Sequence, residues 1–98
     1  MVIDKKKDDI KLTVALNGRL DTITAPELET SLKDDIDGVT ELDFDFSNLE
    51  YISSAGLRVL LSAQKIMNKQ GSMVVKNAND MIKDAFDVTG FSDILKVE

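Results

Sequence analysis

The chemistry most open to this chain lies in the segment Tyr51-Ile52-Ser53-Ser54-Ala55-Gly56-Leu57, between an apolar run and a long amphipathic run. A serine at the point where a strand gives way to a helix places its hydroxyl beside the unpaired N–H groups of the first helical turn. That position favours negative charge and tolerates a phosphate group. The commoner use of such a serine is as an N-cap, which stabilises a helix by about 1 kcal/mol. From the spacing alone, a capping serine and a modified serine are both open.

Catalysis has few residues to draw on in this sequence. With no cysteine there is no zinc thiolate site, and with no histidine the commonest metal ligand and general base are missing. Asp21, Tyr51 and Asp45 remain as candidates for an acid or a base, without a metal cluster to support them. We therefore expect no catalytic residues, no metal site and no cofactor, and we predict that the protein is not an enzyme.

Two separated runs carry a resemblance to a known family. The run LEYISSAGLRVLL, residues 49–61, closely resembles the signature of STAS domains, in particular the small bacterial anti-sigma-factor antagonists. The earlier run LNGRLDTITAPEL, residues 16–28, is similar to the N-terminal loop and first helix of the same family. In that family the serine that follows an aspartate at this turn is phosphorylated, and by position it is Ser54. Ser53 stands here in place of the aspartate, which is part of the turn that the kinase recognises.

The resemblance implies a binding module that is regulated by phosphorylation. The unmodified domain would dock on an anti-sigma factor that is also its serine kinase, and would thereby free a sigma factor. A serine phosphatase would act on the phosphorylated form. The alternative is a STAS scaffold without phosphorylation, as a subunit of a transporter or of a signalling assembly, and the missing aspartate favours it. The expected partner-binding residues are Asp21, Thr22, Ser53, Ser54, Gly56, Leu57, Arg58 and Leu61.

Two leucines in the second predicted helix could extend the partner site. Leu57 and Leu61 lie one turn apart, rotated away from the apolar stripe of that helix, which consists of Val59, Leu60, Ala63, Ile66 and Met67. If they are exposed, they form a small apolar patch with a polar rim, as a partner site does. If they pack beneath a neighbouring loop, there is no patch, and the pattern leaves both possibilities open.

The strands that must position these residues follow from alternating hydrophobicity. Residues 10–16 and 42–46 alternate at period two, the first run being stopped by Asn17 and Gly18, and residues 2–5 can add a short edge strand. Residues 73–76 form a further strand, and residues 91–97 a last short element. Because strands alternate with helices, we predict an α/β fold, a STAS-like single domain over residues 1–98. Its sheet has four to five strands, is mixed but mostly parallel, and carries the helices mainly on one face.

The helix boundaries are predicted from capping patterns. Thr24 and Glu27 have the spacing of a capping box, and the helix that they open ends at Gly38. Gly71 supplies a left-handed stop to the second helix. Asn79 caps a third helix, which closes near Gly90.

Composition limits the cellular setting and the type of partner. No apolar run approaches the ~20 residues of a membrane span, so we expect a cytoplasmic protein. The net charge of −6 argues against nucleic acid as a partner. Residues 27–50 hold nine acidic residues and one basic residue, Lys33. This stretch is either a solvated helix face with its loop or an acidic patch that steers a basic partner surface.

Overall fold

The computed structural model describes residues 1–98 as one five-stranded sheet with three helices. The strands lie in chain order across the sheet; the first two are antiparallel and every later pair is parallel. This confirms the predicted α/β fold with a mixed, mostly parallel sheet. The strands are β1 Val2–Asp8, β2 Lys11–Leu20, β3 Glu41–Ile52, β4 Ser72–Lys76 and β5 Lys96–Val97. The helices are α1 Ala25–Asp35, α2 Ser54–Gln70 and α3 Asp80–Thr89, followed by a 3-10 turn at Phe91–Asp93.

One face of the sheet is covered and the other is open. Along β2 as far as Leu16, along β3 as far as Phe46 and along β4, every second residue is buried in a single core with the helices, whereas the residues between them are partly or fully exposed. On the open face Asp43 forms ion pairs with Lys11 at 3.5 Å and with Lys76 at 3.3 Å. Since the carboxyl ends of β2 and β3 meet at one edge, the loops that enter α1 and α2 stand together there.

Both central strands are longer than the sequence pattern predicts. β2 does not stop at Asn17 and Gly18 but continues to Leu20, with shifts of register against β3 on either side of Asn17 and Gly18. Gly18 has a φ of 115°, a left-handed value at which a side chain would be strained, so the chain bulges here and pairing resumes. β3 runs on to Ile52, well beyond the predicted residues 42–46. The paired strands β2 and β3 therefore extend past the end of β4.

The start of α1 differs from the predicted capping box. Thr24 makes no side-chain capping bond to α1, and its hydroxyl is used in the preceding turn instead. The helix ends at Asp35, before the predicted Gly38. Two lysines of β1 hold this end: Lys5 forms an ion pair with Asp35, and Lys7 donates a hydrogen bond of 3.2 Å to the Asp35 carbonyl. Cations at a helix C-terminus satisfy its last carbonyl groups and its negative dipole end.

Gly71 ends α2 for a reason other than the predicted left-handed turn. Its φ of 172° is extended backbone, which any residue can adopt. A side chain at this position would collide with the backbone of Thr40, so the close approach of the two chains requires glycine. The neighbouring Gln70 donates its amide to the carbonyl groups of Ile36 and Val39, at 2.8 and 2.5 Å. These bonds fix the chain between α1 and β3 against the end of α2.

The third helix has the predicted boundaries. Asn79 accepts a hydrogen bond of 2.9 Å from the Ile82 N–H and so caps α3, and Gly90 ends it with a left-handed φ of 78°. The Asn79 side chain also donates to the Leu49 carbonyl at 3.2 Å, which ties the start of α3 to the extended part of β3. None of the three helices combines the length and the apolar character needed to cross a lipid bilayer.

The acidic residues between positions 27 and 50 are spread over several surfaces. Glu29 pairs with Lys33 on α1, Asp35 pairs with Lys5 at the end of that helix, and Asp43 lies on the open face of the sheet. Glu50 stands at the far end of β3. The stretch therefore does not form one patch, and the prediction of a solvated helix face with its loop describes the α1 part of it.

Candidate functional site

The two serines of the predicted site have different structural roles. Ser53 is the N-cap of α2: its backbone is extended, and its hydroxyl accepts a hydrogen bond of 3.4 Å from the Gly56 N–H. Ser54 is the first helical residue, exposed to solvent, and its hydroxyl makes no hydrogen bond with the rest of the chain. The capping role and the modifiable position thus fall on two separate residues.

The turn before α1 lies beside this serine turn and is closed by hydrogen bonds. The Asp21 carboxylate accepts from the backbone N–H groups of Ile23 and Thr24, at 3.0 and 3.1 Å. The Thr24 hydroxyl accepts from the Asp21 N–H and donates to the Arg19 carbonyl, both at 2.8 Å. Asp21 is therefore a structural acceptor in a rigid turn, which leaves the neighbouring Thr22 and Ile23 exposed at the sheet edge.

These hydrogen bonds determine the acidity of Asp21. The Thr24 N–H is the main cause that holds the pKa of the Asp21 carboxyl below its ordinary value of 3.8; desolvation opposes this, and the Ile23 N–H assists it. The carboxylate is therefore charged at neutral pH and is occupied by its own turn. A proton-transfer role for Asp21 has no support from this geometry, because a general base needs a pKa nearer the working pH.

Direct contacts join the two turns. The Ser53 N–H donates a hydrogen bond of 2.9 Å to the Leu20 carbonyl, the last residue of β2. Gly56 lies against the same leucine. A Cβ atom at this position would stand only 2.7 Å from Leu20 Cγ and 2.9 Å from Ile52 Cγ1. Glycine at the third position of α2 thus allows the helix start to approach the strand ends closely. The sequence analysis had placed Gly56 at the partner surface, but it is buried.

Leu57 is also buried, with an exposed fraction of 5%, so of the two possibilities left open for it the packed one is correct, and it is not available as a partner-binding residue. The buried face of α2 is wider than predicted and includes Leu57 and Gln64, while Ile66, placed in the predicted stripe, is 40% exposed. At roughly 100° per residue, the centre of the buried face is thus rotated toward Leu57. Leu61 keeps intermediate exposure beside it.

A groove between α1 and α2 brings together two of the predicted partner residues. Thr22 stands at one side of it and Arg58 at the other. Farther along, its floor becomes apolar with Leu32, Val59 and Ala63. The remaining lining residues at the Thr22 end are Ala25, Pro26, Glu29, Ala55, Val59 and Ser62. Ser54 immediately precedes Ala55 in α2 but is not among the residues that line the groove.

Sequence analysis did not foresee the contact between Arg19 and Tyr51. The two residues are partners in the register of β2 and β3, and the Arg19 guanidinium lies over the Tyr51 ring, 4.3 Å from its centroid. Such a cation–π contact stabilises by about 0.5–1 kcal/mol at an exposed site. Tyr51 is therefore used in packing. Asp45, another residue considered for acid–base chemistry, accepts from Asn77 and from the Ser47 N–H, and these bonds lower its pKa.

Comparison with known proteins identifies the family of this chain. The family model of the STAS domain matches residues 2–98. The chain belongs to the STAS domain family. BtrV of Bordetella bronchiseptica is 34% identical to this STAS domain, over 99% of the chain and 85% of the relative. The anti-sigma-B factor antagonist of Bacillus subtilis is 28% identical, over 97% of the chain and 88% of the relative.

Solved structures show the same fold. SpoIIAA, an anti-sigma factor antagonist, has been solved unphosphorylated and phosphorylated, and it matches with TM-scores of 0.79 and 0.78. The sequence identities are 15% and 16%, and the matches cover 99% of this chain and 87% and 91% of the two SpoIIAA chains. The resemblance to STAS domains and to the anti-sigma-factor antagonists among them is thus confirmed.

Proposed function

We propose that this STAS domain is an anti-sigma factor antagonist, and that phosphorylation of Ser54 switches off its binding to the anti-sigma factor. The unmodified protein docks through the carboxyl edge of its sheet and the start of α2, and so releases a sigma factor. The docked anti-sigma factor is also the kinase. Ser54 Oγ attacks the γ-phosphorus of ATP, ADP leaves, and the hydroxyl proton passes to the kinase. A serine phosphatase restores the hydroxyl by hydrolysis.

The observation that carries the proposal is the exposed and unbonded hydroxyl of Ser54 at the first residue of α2. The neighbouring Ser53 already accepts a hydrogen bond from the Gly56 N–H and donates its own N–H to the Leu20 carbonyl at the end of β2. A kinase that modified Ser53 would have to remove a helix cap, whereas Ser54 needs no rearrangement. The Asp21–Thr24 turn offers a rigid neighbouring surface for the same partner.

Phosphorylation is expected to block docking without unfolding the domain. A phosphoserine adds about −1.5 to −2 charges, and at a helix N-terminus this charge stabilises the fold by about 0.3–1 kcal/mol. In a docked interface the effect reverses, because burying the charge without a paired cation costs several kcal/mol. A loss of about 2.7 kcal/mol already lowers the affinity a hundredfold. The fold that this chain shares with both forms of SpoIIAA supports a switch with little backbone movement.

The test is phosphorylation of the purified protein by the cognate anti-sigma factor and ATP, followed by mass spectrometry of its peptides. We expect one phosphate, on Ser54, and none on the Ser54→Ala variant. Ser53→Ala is the matched control, because it removes the neighbouring hydroxyl and leaves the target in place. Binding of the unmodified and phosphorylated forms is then compared by calorimetry.

Other outcomes would reject the proposal in distinguishable ways. Phosphate on Ser53 alone would show that the helix cap is the target and that the assignment to Ser54 is wrong. An active kinase that leaves the protein unmodified would favour the alternative, a STAS scaffold in a transporter or signalling assembly. Equal binding by the two forms would leave the modification in place but exclude it as the switch.

A further inference from the structure

The exposed side of α2 carries charge of one sign only. Arg58, Lys65 and Lys69 are exposed and form no ion pair or hydrogen bond with the rest of the chain. The whole helix from Ser54 to Gln70 contains no aspartate or glutamate, in a protein of net charge −6. We call these three cations the basic ridge.

The basic ridge begins at the proposed phosphorylation site. Counted from Ser54, its members follow at intervals of four, seven and four residues. At roughly 100° per residue, all four side chains fall within an arc of about 60° on the helix. At roughly 1.5 Å per residue, this line is about 22 Å long. Ser54 and the three cations of the basic ridge therefore lie along one line that extends nearly the full length of α2.

Local helix stability explains only part of this arrangement. Acidic residues are favoured in the first turn of a helix and like charges four residues apart are unfavourable. α1 follows these rules, with Glu27 in its first turn and an ion pair of 3.3 Å between Glu29 and Lys33. In α2, Lys69 lies in the last turn, where the helix dipole favours a cation. However, α2 has no acid in its first turn, and Lys65 and Lys69 stand four residues apart. A solvated helix optimised for its own stability would not have this distribution, and such departures concentrate at functional sites.

We infer that the basic ridge is the docking surface for an acidic face of the anti-sigma factor, which extends the contact from Ser54 to the far end of α2. The inference rests on the proposed function for the identity of the partner. It adds the chemistry of that partner's surface, which charge complementarity with the basic ridge specifies. A phosphate on Ser54 would then act twice, because its charge repels the acidic face and neutralises Arg58, one turn away.

Charge reversal tests the inference. The double variant Lys65→Glu/Lys69→Glu should bind the cognate anti-sigma factor more than tenfold more weakly than wild type at low salt, with most of the loss in the association rate. The loss should shrink as salt is raised. Both residues are exposed and unpaired, so the thermal midpoint should remain within a few degrees of wild type.

The matched control is Lys6→Glu/Lys96→Glu, which makes the same change of net charge on the open face of the sheet. Its members lie on β1 and β5, are exposed, and form no ion pair. We expect its affinity to fall less than twofold. Equal losses in the two double variants would mean that only net charge matters, and the basic ridge would not be a docking surface.

Failure of the inference can be told apart from failure of the proposed function. If wild type binds the anti-sigma factor and is phosphorylated on Ser54, but the ridge variant binds equally well, only the inference is overturned. If wild type does not bind at all, the proposed function fails and the inference fails with it. A positive result is confirmed when lysine replaces acidic residues on the anti-sigma factor and restores binding of the ridge variant.

Discussion

The turns that lead into α1 and α2 are neighbours at one edge of the sheet, but hydrogen bonds hold them very differently. In the Asp21–Thr24 turn, the Asp21 carboxylate and the Thr24 hydroxyl accept hydrogen bonds from backbone N–H groups of the turn, and the hydroxyl also donates to the Arg19 carbonyl in β2, at 2.8 to 3.1 Å. In the Ser53–Ser54 turn, one cap bond of 3.4 Å is made and the second hydroxyl is unbonded. The first turn is built for rigidity. The second leaves the Ser54 hydroxyl exposed and free of hydrogen bonds.

The largest expected effect is on partner binding and concerns Ser54. Ser54→Glu and Ser54→Asp should lower the affinity for the anti-sigma factor by a hundredfold or more, because each places a negative charge in the proposed docking surface. The fold should change little, since a carboxylate is favourable at a helix N-terminus, and the melting temperature should move by only a few degrees. Calorimetric titration and thermal melts measure both quantities. Wild-type affinity in either variant would contradict electrostatic exclusion.

The next effect concerns the contact between the two turns. Gly56→Ala should destabilise the domain by about 1–3 kcal/mol, because the new methyl group collides with Leu20 and Ile52. Denaturant unfolding would measure this. Gly38→Ala gives a useful contrast. A Cβ atom at Gly38 would have no atom within 4 Å, so any loss of stability in this variant comes from backbone strain at its φ of 80° and not from a collision. If Gly56→Ala unfolded like wild type, the turns would be less tightly packed than the structure indicates.

A smaller effect is expected when the rigid turn is weakened. Asp21→Asn keeps an acceptor oxygen but removes its charge, so the melting temperature should fall by a few degrees at pH 7. The Thr24 N–H and weaker contacts lower the pKa of Asp21 in the folded state. The Asp21 carboxylate therefore stabilises the fold fully at pH values above its ordinary pKa of 3.8, and this stabilisation is lost as the pH falls through the lower folded-state pKa. The difference between variant and wild type should therefore shrink in acid. A difference that stayed constant from pH 7 to pH 2 would reject this cause.

The smallest effect is expected at the helix cap. Ser53→Ala should cost no more than about 1 kcal/mol, since the bond that it removes is long. Ser53→Asp restores the acidic residue of the family pattern and should stabilise α2 slightly through its dipole. Urea unfolding of the three proteins gives the ranking. If Ser53→Ala were as damaging as Gly56→Ala, the serine turn would be as rigid as its neighbour and the contrast between them would disappear.

Much of this fold could be predicted because local patterns and global packing agree. Alternating residues in β2 and β3 can bury only one face of a sheet, so the helices had to cover that face. Asn79 could be predicted as a cap because an amide oxygen at that position satisfies an N–H of the next turn whatever the surroundings. The start of α2 at the two serines was predicted from small hydroxyl residues between an apolar run and an amphipathic run, and the resemblance to STAS domains singled out Ser54.

Other features depended on contacts that the capping patterns do not include. Thr24 has the spacing of a cap, yet its hydroxyl donates to the carbonyl of Arg19, five residues earlier in β2. Gly71 has the position of a left-handed stop, yet its role is to let Thr40, which is distant in the sequence, approach. In both cases the residue type was informative, but the partner was not the one that the pattern implied.

The sequence alone determined the order of the strands and helices, the family, and a serine at the start of the second helix, because periodicity and capping act over only a few residues. The tertiary structure decided which serine is engaged and which is open, and that Leu57 is core while Leu61 stays partly exposed. It also showed that the acidic stretch is dispersed while the cations of α2 stay free of partners. Exposure and pairing depend on what other elements cover, and no local pattern in the chain contains that information.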